Sequence, residues 1–509
     1  MDKFIAALHL VMEPATLATL VASSLFGFAV GCLPGLTATM AVALLVPMTF
    51  FMSPIAAITS IVAASAMAIF AGDIPGALLR MPGTPASAAY VDDSYELTKR
   101  GEAGLVIAAN AAFSAIGGIF GTAVLIVAAP ALADFALDFS AYEFFWLGVL
   151  GLSCAVFVAG DDLVKGLASL MLGLLVSTVG MDYTTGHPRF TFGIVNLLEG
   201  VSFIPGLIGM FALPEILRSL LSRGEITHVA KVTVRGAWRK TWEAGKRYWG
   251  QAAGGSVLGT IVGALPGGGA DTAAWISYAA AKKMSKEPEK WGKGHIEGIV
   301  AGSAANNAAL SGAWIPAIVF AIPGDTITAI GIGVLYLKGV NPGPTVFINN
   351  GELFYAVFII FILANLIMFP LGALAMRIAQ IVLRIPRDLI LPALLVLSMT
   401  GAYAIDSDIF GIWILLALGT TAYFMEENGF PIAPMVLGIV LGEIVEQNFM
   451  QALISSNGNV LGLFSRPIAA TLGVATIIVW AVPLMRLAWS RRGRPAPASV
   501  TDDGNRGPA

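Results

Sequence analysis

The chain of 509 residues is 57% hydrophobic and 12% charged, against about 25% charged in an average soluble domain. No Asp, Glu, Lys or Arg occurs between Pro14 and Gly72, where about 20 apolar residues suffice to cross a bilayer as a helix, so a soluble globular fold is excluded. A net charge of −3 is uninformative in so apolar a chain, no nucleic-acid partner is expected, and the strict two-residue alternation of a membrane β-barrel is absent.

The N-terminus carries one lysine and no small-residue cleavage pattern, so no removable signal peptide is expected. An apolar leg then reaches "GCLPGLTATMA" at 31–41, a second leg follows, and an apolar span ends at "GDIPGALLRMPGT", 72–84. Further spans are predicted near 103–130, 141–160, 163–181 and 199–217. Residues Arg218–Gly250 hold eight Lys or Arg against Glu225 and Glu243, which places this linker on the cytoplasmic side. Lys282–Lys293 adds five lysines and belongs on that side too. The intervening Gln251–Ala281 must cross an even number of times, and it is short for two spans. A re-entrant hairpin turning near its glycines fits better. Spans are predicted near 354–376, 389–405, 409–425, 432–452 and 468–490, ahead of cytoplasmic Arg486, Arg491, Arg492 and Arg494 and a disordered end, Ser499–Ala509.

The expected organisation is therefore an all-α polytopic membrane protein with about 10–12 embedded segments. It divides into an N-terminal membrane repeat (1–217), a basic cytoplasmic linker (218–250), a C-terminal membrane repeat (251–490) and a disordered cytoplasmic tail (491–509). Cys32 and Cys154 suggest no disulfide framework, and His9, His187, His228 and His295 have no metal-ligand spacing.

The repeat rests on two ordered matches. "GCLPGLTATMA" pairs with "GALPGGGADTA" at 263–273, an offset of 232. "GDIPGALLRMPGT" pairs with "GAWIPAIVFAIPGD" at 312–325, an offset of 241, so that Pro75 meets Pro316 and Pro82–Gly83 meets Pro323–Gly324. The extra residues fall in the lysine-rich turn around Lys282–Lys290. The turn at 48–54 lacks Lys and Arg, whereas the far end of the first copy carries Arg80, Lys99 and Arg100. The basic side is swapped between copies, as inverted-topology repeats predict.

Each Pro-Gly unit breaks a helix, and in hydrocarbon such a break persists only where protein or a water-filled cavity covers it. Freed N–H groups at a half-helix start attract anions, and freed carbonyls at a half-helix end attract cations. The candidate substrate-binding residues are therefore Gly31, Pro34, Gly35, Thr37 and Thr39 at the first break, and Pro82, Gly83, Thr84 and Ser87 at the second. Their counterparts are Pro266, Gly267, Gly268 and Gly269, then Pro323, Gly324 and Thr326, joined by the Asn306–Asn307 pair in an otherwise apolar span. Asp271 and Asp325 are expensive in a membrane unless paired, protonated or cation-bound. With Thr272 they are candidates for binding a coupling Na+ or H+. Arg80 faces a substrate carboxylate or snorkels to the interface. Glu443 and Glu446 read as solvated at a helix end.

These residues resemble the large membrane subunit of the tripartite tricarboxylate transporters (the TctA family) along nearly the whole chain. "GALPGGGADTAAWISYAAAKKMSK", "GKGHIEGIVAGSAANNAA", "IPAIVFAIPGD" and "GVNPGP" follow in the family's order. "GCLPGLTATMAVALLVPMTF", "MPGTPASAAYVDD", "TKRGEAG" and "GMDYTTGHPRFTFG" do so in the first half. The resemblance implies a multi-pass permease of the bacterial inner membrane, working with a small membrane subunit and a periplasmic solute-binding protein. That system would import organic carboxylates on an ion gradient. No cofactor and no enzymatic activity are expected. Ser303 stands where the family often has Glu before its Asn pair, and Arg80 precedes "MPGTP" where it often has Asn. Alternatives are a TRAP-type dicarboxylate permease, a passive channel, and a membrane-embedded enzyme, which would need a nucleophile–base pair, a metal site or a phosphate loop.

Overall fold

A computed structural model describes residues 2–158, 162–221, 232–383 and 387–492. Arg223, Lys231, Arg494 and the Ser499–Ala509 end lie outside these residues. The protein is nearly all α-helical.

The first half comprises α1 (Asp2–Met12), α2 (Pro14–Gly31), α3 (Ala38–Thr49), α4 (Pro54–Ala71), α5 (Asp73–Leu79) and α6 (Val91–Lys99). It continues with α7 (Ala103–Ala136), α8 (Ala141–Val158), α9 (Leu163–Ser177) and α10 (Phe203–Leu221). Between α9 and α10 lies a short antiparallel pair, β1 (Gly180–Met181) and β2 (Pro188–Arg189), which the sequence had not suggested. The second half comprises α11 (Ala237–Arg247), α12 (Trp249–Ala264), α13 (Gly269–Met284), α14 (Ile296–Phe320), α15 (Thr326–Leu337) and α16 (Val346–Asn349). It ends with α17 (Gly351–Val382), α18 (Arg387–Asp406), α19 (Phe410–Glu427), α20 (Ile432–Ser455) and α21 (Pro467–Arg492).

Five described helical stretches are long and apolar enough to cross a membrane: Pro14–Gly31, Pro54–Leu79, Ala103–Ala136, Gly351–Ile381 and Ile432–Ser455. Their sequences leave little alternative. They are runs of Ala, Leu, Ile, Val and Phe whose only route to backbone satisfaction in hydrocarbon is the helix itself. Starts are marked locally: Ser53 caps α4, accepting from the Ala56 N–H at 3.4 Å, and Pro54 supplies the first helical residue.

Two long helices lie almost wholly in the interior. All of α4 from Ile55 to Ala71 is buried, and so is all of α14 from Glu297 to Val319. α2 and α3 pack on α4, and α12 and α13 pack on α14. Small residues permit this closeness. A Cβ on Gly27 or Gly31 would lie 2.2 or 2.5 Å from the carbonyl oxygen of Ala64 or Ala68. A Cβ on Gly259 or Gly263 would lie 2.3 or 2.1 Å from that of Ala305 or Ala309. These are the same contacts displaced by 232 residues on one helix and 241 on the other. The change of offset falls where α13 joins α14 through a longer connection than α3 joins α4.

α12 and α13 fold back on each other. A Cβ on Gly255 would lie 3.1 Å from Ser277 Oγ, two positions about equally far from the break. The Pro266–Gly268 break is therefore a hairpin turn and not a kink in a continuing helix. α11, in the basic segment, is an amphipathic helix packed on α7 and α12.

Candidate functional site

The second breaks in the two halves are built alike. Arg80 and Ala321 both take the left-handed conformation, with φ of 59° and 56°. Met81 N–H then donates to Pro75 O at 3.4 Å, and Ile322 N–H to Pro316 O at 3.3 Å. Next comes a reciprocal cap. Thr84 N–H donates to Ser87 Oγ and Ser87 N–H to Thr84 Oγ1, both at 3.2 Å. Asp325 N–H donates to Thr328 Oγ1 at 2.9 Å and Thr328 N–H to Asp325 Oδ1 at 2.8 Å. The side chains satisfy first-turn donors that no helix carbonyl reaches.

The first breaks turn on Gly35 and Gly267, with φ of 89° and 81°. Only glycine takes that conformation without strain. Each turn feeds a helix start: Thr37 caps α3, accepting from Met40 N–H at 3.2 Å, and Gly268 precedes α13. Gly267 N–H donates to Gly324 O at 2.8 Å, which ties the two breaks of the second half together.

All of this geometry surrounds one cavity of about 490 Å³. Thr37–Thr39 at the start of α3, Gly267–Thr272 at the start of α13, Asp325–Ile327 at the start of α15 and Thr84–Pro85 line it, with Asn306 from the middle of α14. The halves are bonded across it. Thr39 Oγ1 and Thr326 Oγ1 are 3.0 Å apart, and Asp271 Oδ1 accepts from Ala86 N–H at 3.0 Å. Trp275 Nε1–H reaches Pro85 O at 3.0 Å.

Of the residues named from sequence, Thr37, Thr39, Thr84, Gly267, Gly268, Gly269, Asp271, Thr272, Asn306, Asp325 and Thr326 line the cavity. The others stand behind it. Gly31 packs on α4, Pro34 is buried in the turn, and Gly35 abuts Glu215, whose Oε1 would lie 2.8 Å from a Cβ there. Gly83 N–H donates to Gly72 O at 3.1 Å beside Pro82, Ser87 is spent on its cap, and Pro266 faces Gly151 of α8. Pro323 and Gly324 form the turn itself. Asn307 points away from its neighbour, its Nδ2 donating to Ala66 O at 3.4 Å. Asn306 is 1% exposed; its amide lies beside the Tyr90 hydroxyl, yet neither of its polar atoms has a hydrogen-bond partner of good geometry.

Sequence reasoning did not find the remaining wall, which comes from α10, α19 and α20. Glu215 and Arg218 of α10 and Glu426 of α19 stand at its rim. Arg218 pairs with Glu215 at 3.0 Å, Glu426 at 2.8 Å and Glu427 at 3.4 Å. Read as the first residue of a basic linker, Arg218 is instead a helical residue of this rim. Among described residues the cavity lining carries four carboxylates, Glu215, Asp271, Asp325 and Glu426, and one cation, Arg218. Arg80 is not there: it pairs with Asp92 at 2.8 Å on the surface. Ser303 is buried, and its Oγ donates to Asn110 Oδ1 at 3.0 Å. Glu443 and Glu446 line a second, smaller cavity, where Arg189 holds Glu446 at 3.1 Å. No cluster of three or more His, Cys, Asp and Glu side chains suited to a metal occurs among the described residues.

The family model of the tripartite tricarboxylate transporter TctA family matches residues 17–437, a stretch that contains every cavity-lining residue. The chain belongs to the TctA family. As a TctA protein it is a membrane component of a transporter, not an enzyme. A relative from Agrobacterium vitis, an uncharacterized 52.8 kDa protein in the TAR-I ttuC' 3' region, is 35% identical over 465 residues, covering 91% of this chain and 92% of the relative. An uncharacterized protein in the TAR-II ttuC' 3' region of the same organism is 32% identical over 231 residues, 45% of this chain and 96% of that relative. No solved structure matches.

Proposed function

We propose that this TctA protein is the large permease subunit of a secondary transporter that imports organic di- or tricarboxylates across the bacterial inner membrane. It works with a small membrane subunit and a periplasmic solute-binding protein, and a Na+ or H+ gradient drives it. The observation that carries this reading is the convergence of three helix N-termini, those of α3, α13 and α15, on one cavity. The aligned dipoles of these helices favour anionic groups at their starts, and Thr37, Thr39, Thr84 and Thr326 add hydroxyl groups.

The cavity's own charge supports ion coupling. Four carboxylates against one arginine repel a polyanion, so a carboxylate enters only together with cations. Asp271, Thr272 and Asp325 lie beside one another at the starts of α13 and α15, and we assign the coupling cation to them. The two halves are read as inverted repeats. The recurrence of the same glycine contacts, left-handed caps and reciprocal caps at fixed offsets supports a common origin, and the swapped basic flanks support the inversion. Arg218 stands near the end of α10 that leads to the basic segment, which supports reading this side of the cavity as the cytoplasmic one.

Uptake by the reconstituted three-component system tests this, comparing mono-, di- and tricarboxylates with and without Na+ or proton gradients. Accumulation of a di- or tricarboxylate that collapses with one of the gradients is expected. Failure to accumulate any of them, or equal uptake with both gradients abolished, overturns the reading.

A further inference from the structure

Asp73 begins α5 in the interior of the first half and is 2% exposed; Tyr90, in the turn before α6, is 1% exposed. The Tyr90 hydroxyl donates to Asp73 Oδ1 at 2.8 Å, while Asp73 Oδ2 has no hydrogen-bond partner. The ring of Tyr90 packs against α14, where a Cβ on Gly302 would meet it at 2.4 Å. Its hydroxyl also lies beside Ser303 and Asn306, and Asn306 lines the cavity. A continuous polar connection therefore runs from Asp73 through Tyr90 to the cavity wall.

Among the described residues no cation nearby compensates a charge on Asp73. α4 carries no titratable side chain, and α7 has only Asp134 at its distant end. On α6, Asp92 pairs with Arg80 and Glu96 with Lys99, and Tyr95 lies under the Lys99 ammonium. Asp93 there accepts from Tyr278 and from the N–H groups of Gly294 and His295. An ionised carboxylate buried without a cation costs far more than a neutral one.

The second half shows that the fold does not require these groups. The positions equivalent to Asp73 and Tyr90 are Trp314 and Gly331, and a Cβ on Gly331 would lie 2.9 Å from the Trp314 ring. There an indole packs over the glycine, with no carboxylate in the arrangement.

We propose that Asp73 is a proton-binding site that communicates with the transport cavity through Tyr90 and Asn306, separate from the cation site at Asp271 and Asp325. In the loaded state Asp73 is a carboxylic acid. On release the proton passes to cavity water and leaves a carboxylate held by the Tyr90 hydroxyl. The link to uptake rests on the transport reading above; the protonation state does not.

Infrared difference spectroscopy of the full chain in lipid, titrated with pH, tests the site without any substrate. A carboxylic-acid carbonyl band that vanishes in Asp73→Asn and shifts in Tyr90→Phe is expected. A spectrum with no such band, or one that Asp73→Asn leaves unchanged, overturns the proposal. In the reconstituted system, uptake of labelled citrate and succinate should be accelerated by an inward proton gradient, and Asp73→Asn should lose that acceleration. Acceleration retained in Asp73→Asn counts against coupling at this residue. Absence of uptake by the unaltered protein would instead strike the transport reading and leave the infrared result standing.

Discussion

Asp271 accepts a hydrogen bond at 3.0 Å from the backbone N–H of Ala86, 185 residues earlier in the chain. Thr39, the residue at the same place in the first half, meets Thr326 Oγ1 at 3.0 Å, one position before Ile327, the counterpart of Ala86. The start of α13 thus braces the second break of the first half, and the start of α3 that of the second half.

This double duty of Asp271 separates two substitutions. Asp271→Asn keeps an acceptor for Ala86 and removes the charge, so it should fold with little loss but lose the cation dependence of uptake. Asp271→Leu also removes a charged hydrogen bond and should lower stability by about 1.5–3 kcal/mol. Thermal unfolding in detergent, together with uptake measured against cation concentration, checks both; identical behaviour of the two variants would sink the assignment.

Asn306 holds two buried polar atoms with no well-aligned hydrogen bond among the described residues, each a group that costs about 1–3 kcal/mol to leave unsatisfied. Asn306→Leu is therefore expected to be at least as stable as the parent while abolishing uptake. Normal uptake by a well-folded Asn306→Leu protein removes this residue from the site.

Gly267 combines a φ of 81° with a backbone neighbour: a Cβ there would lie 2.5 Å from Ala155 Cα on α8. Gly267→Ala must pay about 1–2 kcal/mol for a left-handed alanine and must also push α8 away. It should insert into membranes yet fail to transport. Gly254, in α12 with nothing within 4 Å of its Cβ position, is the control. Gly254→Ala should be neutral or gain up to about 1 kcal/mol from helix propensity. Expression, thermal stability and uptake of the two variants distinguish them.

Arg218 pairs with three carboxylates at the cavity rim. Arg218→Gln should weaken carboxylate affinity by roughly tenfold, or about 1.4 kcal/mol, at low ionic strength. Because the groups are partly exposed, salt should recover part of the loss, with a screening length of about 10 Å at 0.1 M. Competition binding across a salt series measures it, and a salt-independent loss would point to packing instead.

The breaks, the repeat offsets and the polar residues beside them were legible because they are local: Pro, Gly, Thr and Asp within a few positions of one another. The cap at Asp325 and Thr328 and the hairpin at Pro266–Gly268 follow from that chemistry. The wall formed by Glu215, Arg218 and Glu426 was not legible. It depends on α10 and α19 meeting although about 200 residues separate them, and no periodicity encodes that meeting. Arg218 was misread because it borders a basic stretch, so its charge was assigned to solvent. Asp73 lay inside a recognised motif, but only its partner Tyr90 and the absence of a cation give it meaning.

The burial of α14 bears on how the protein is made. At 25 residues it is long enough to span a bilayer, yet it is too polar to count among the apolar spans, and from Glu297 to Val319 no side chain is left to face lipid. Such a segment has little of its own to hold it in hydrocarbon. It becomes a membrane helix by virtue of α7, α12 and α13 around it, so during biosynthesis its insertion has to wait on, and be completed by, the assembly of helices that precede it in the chain.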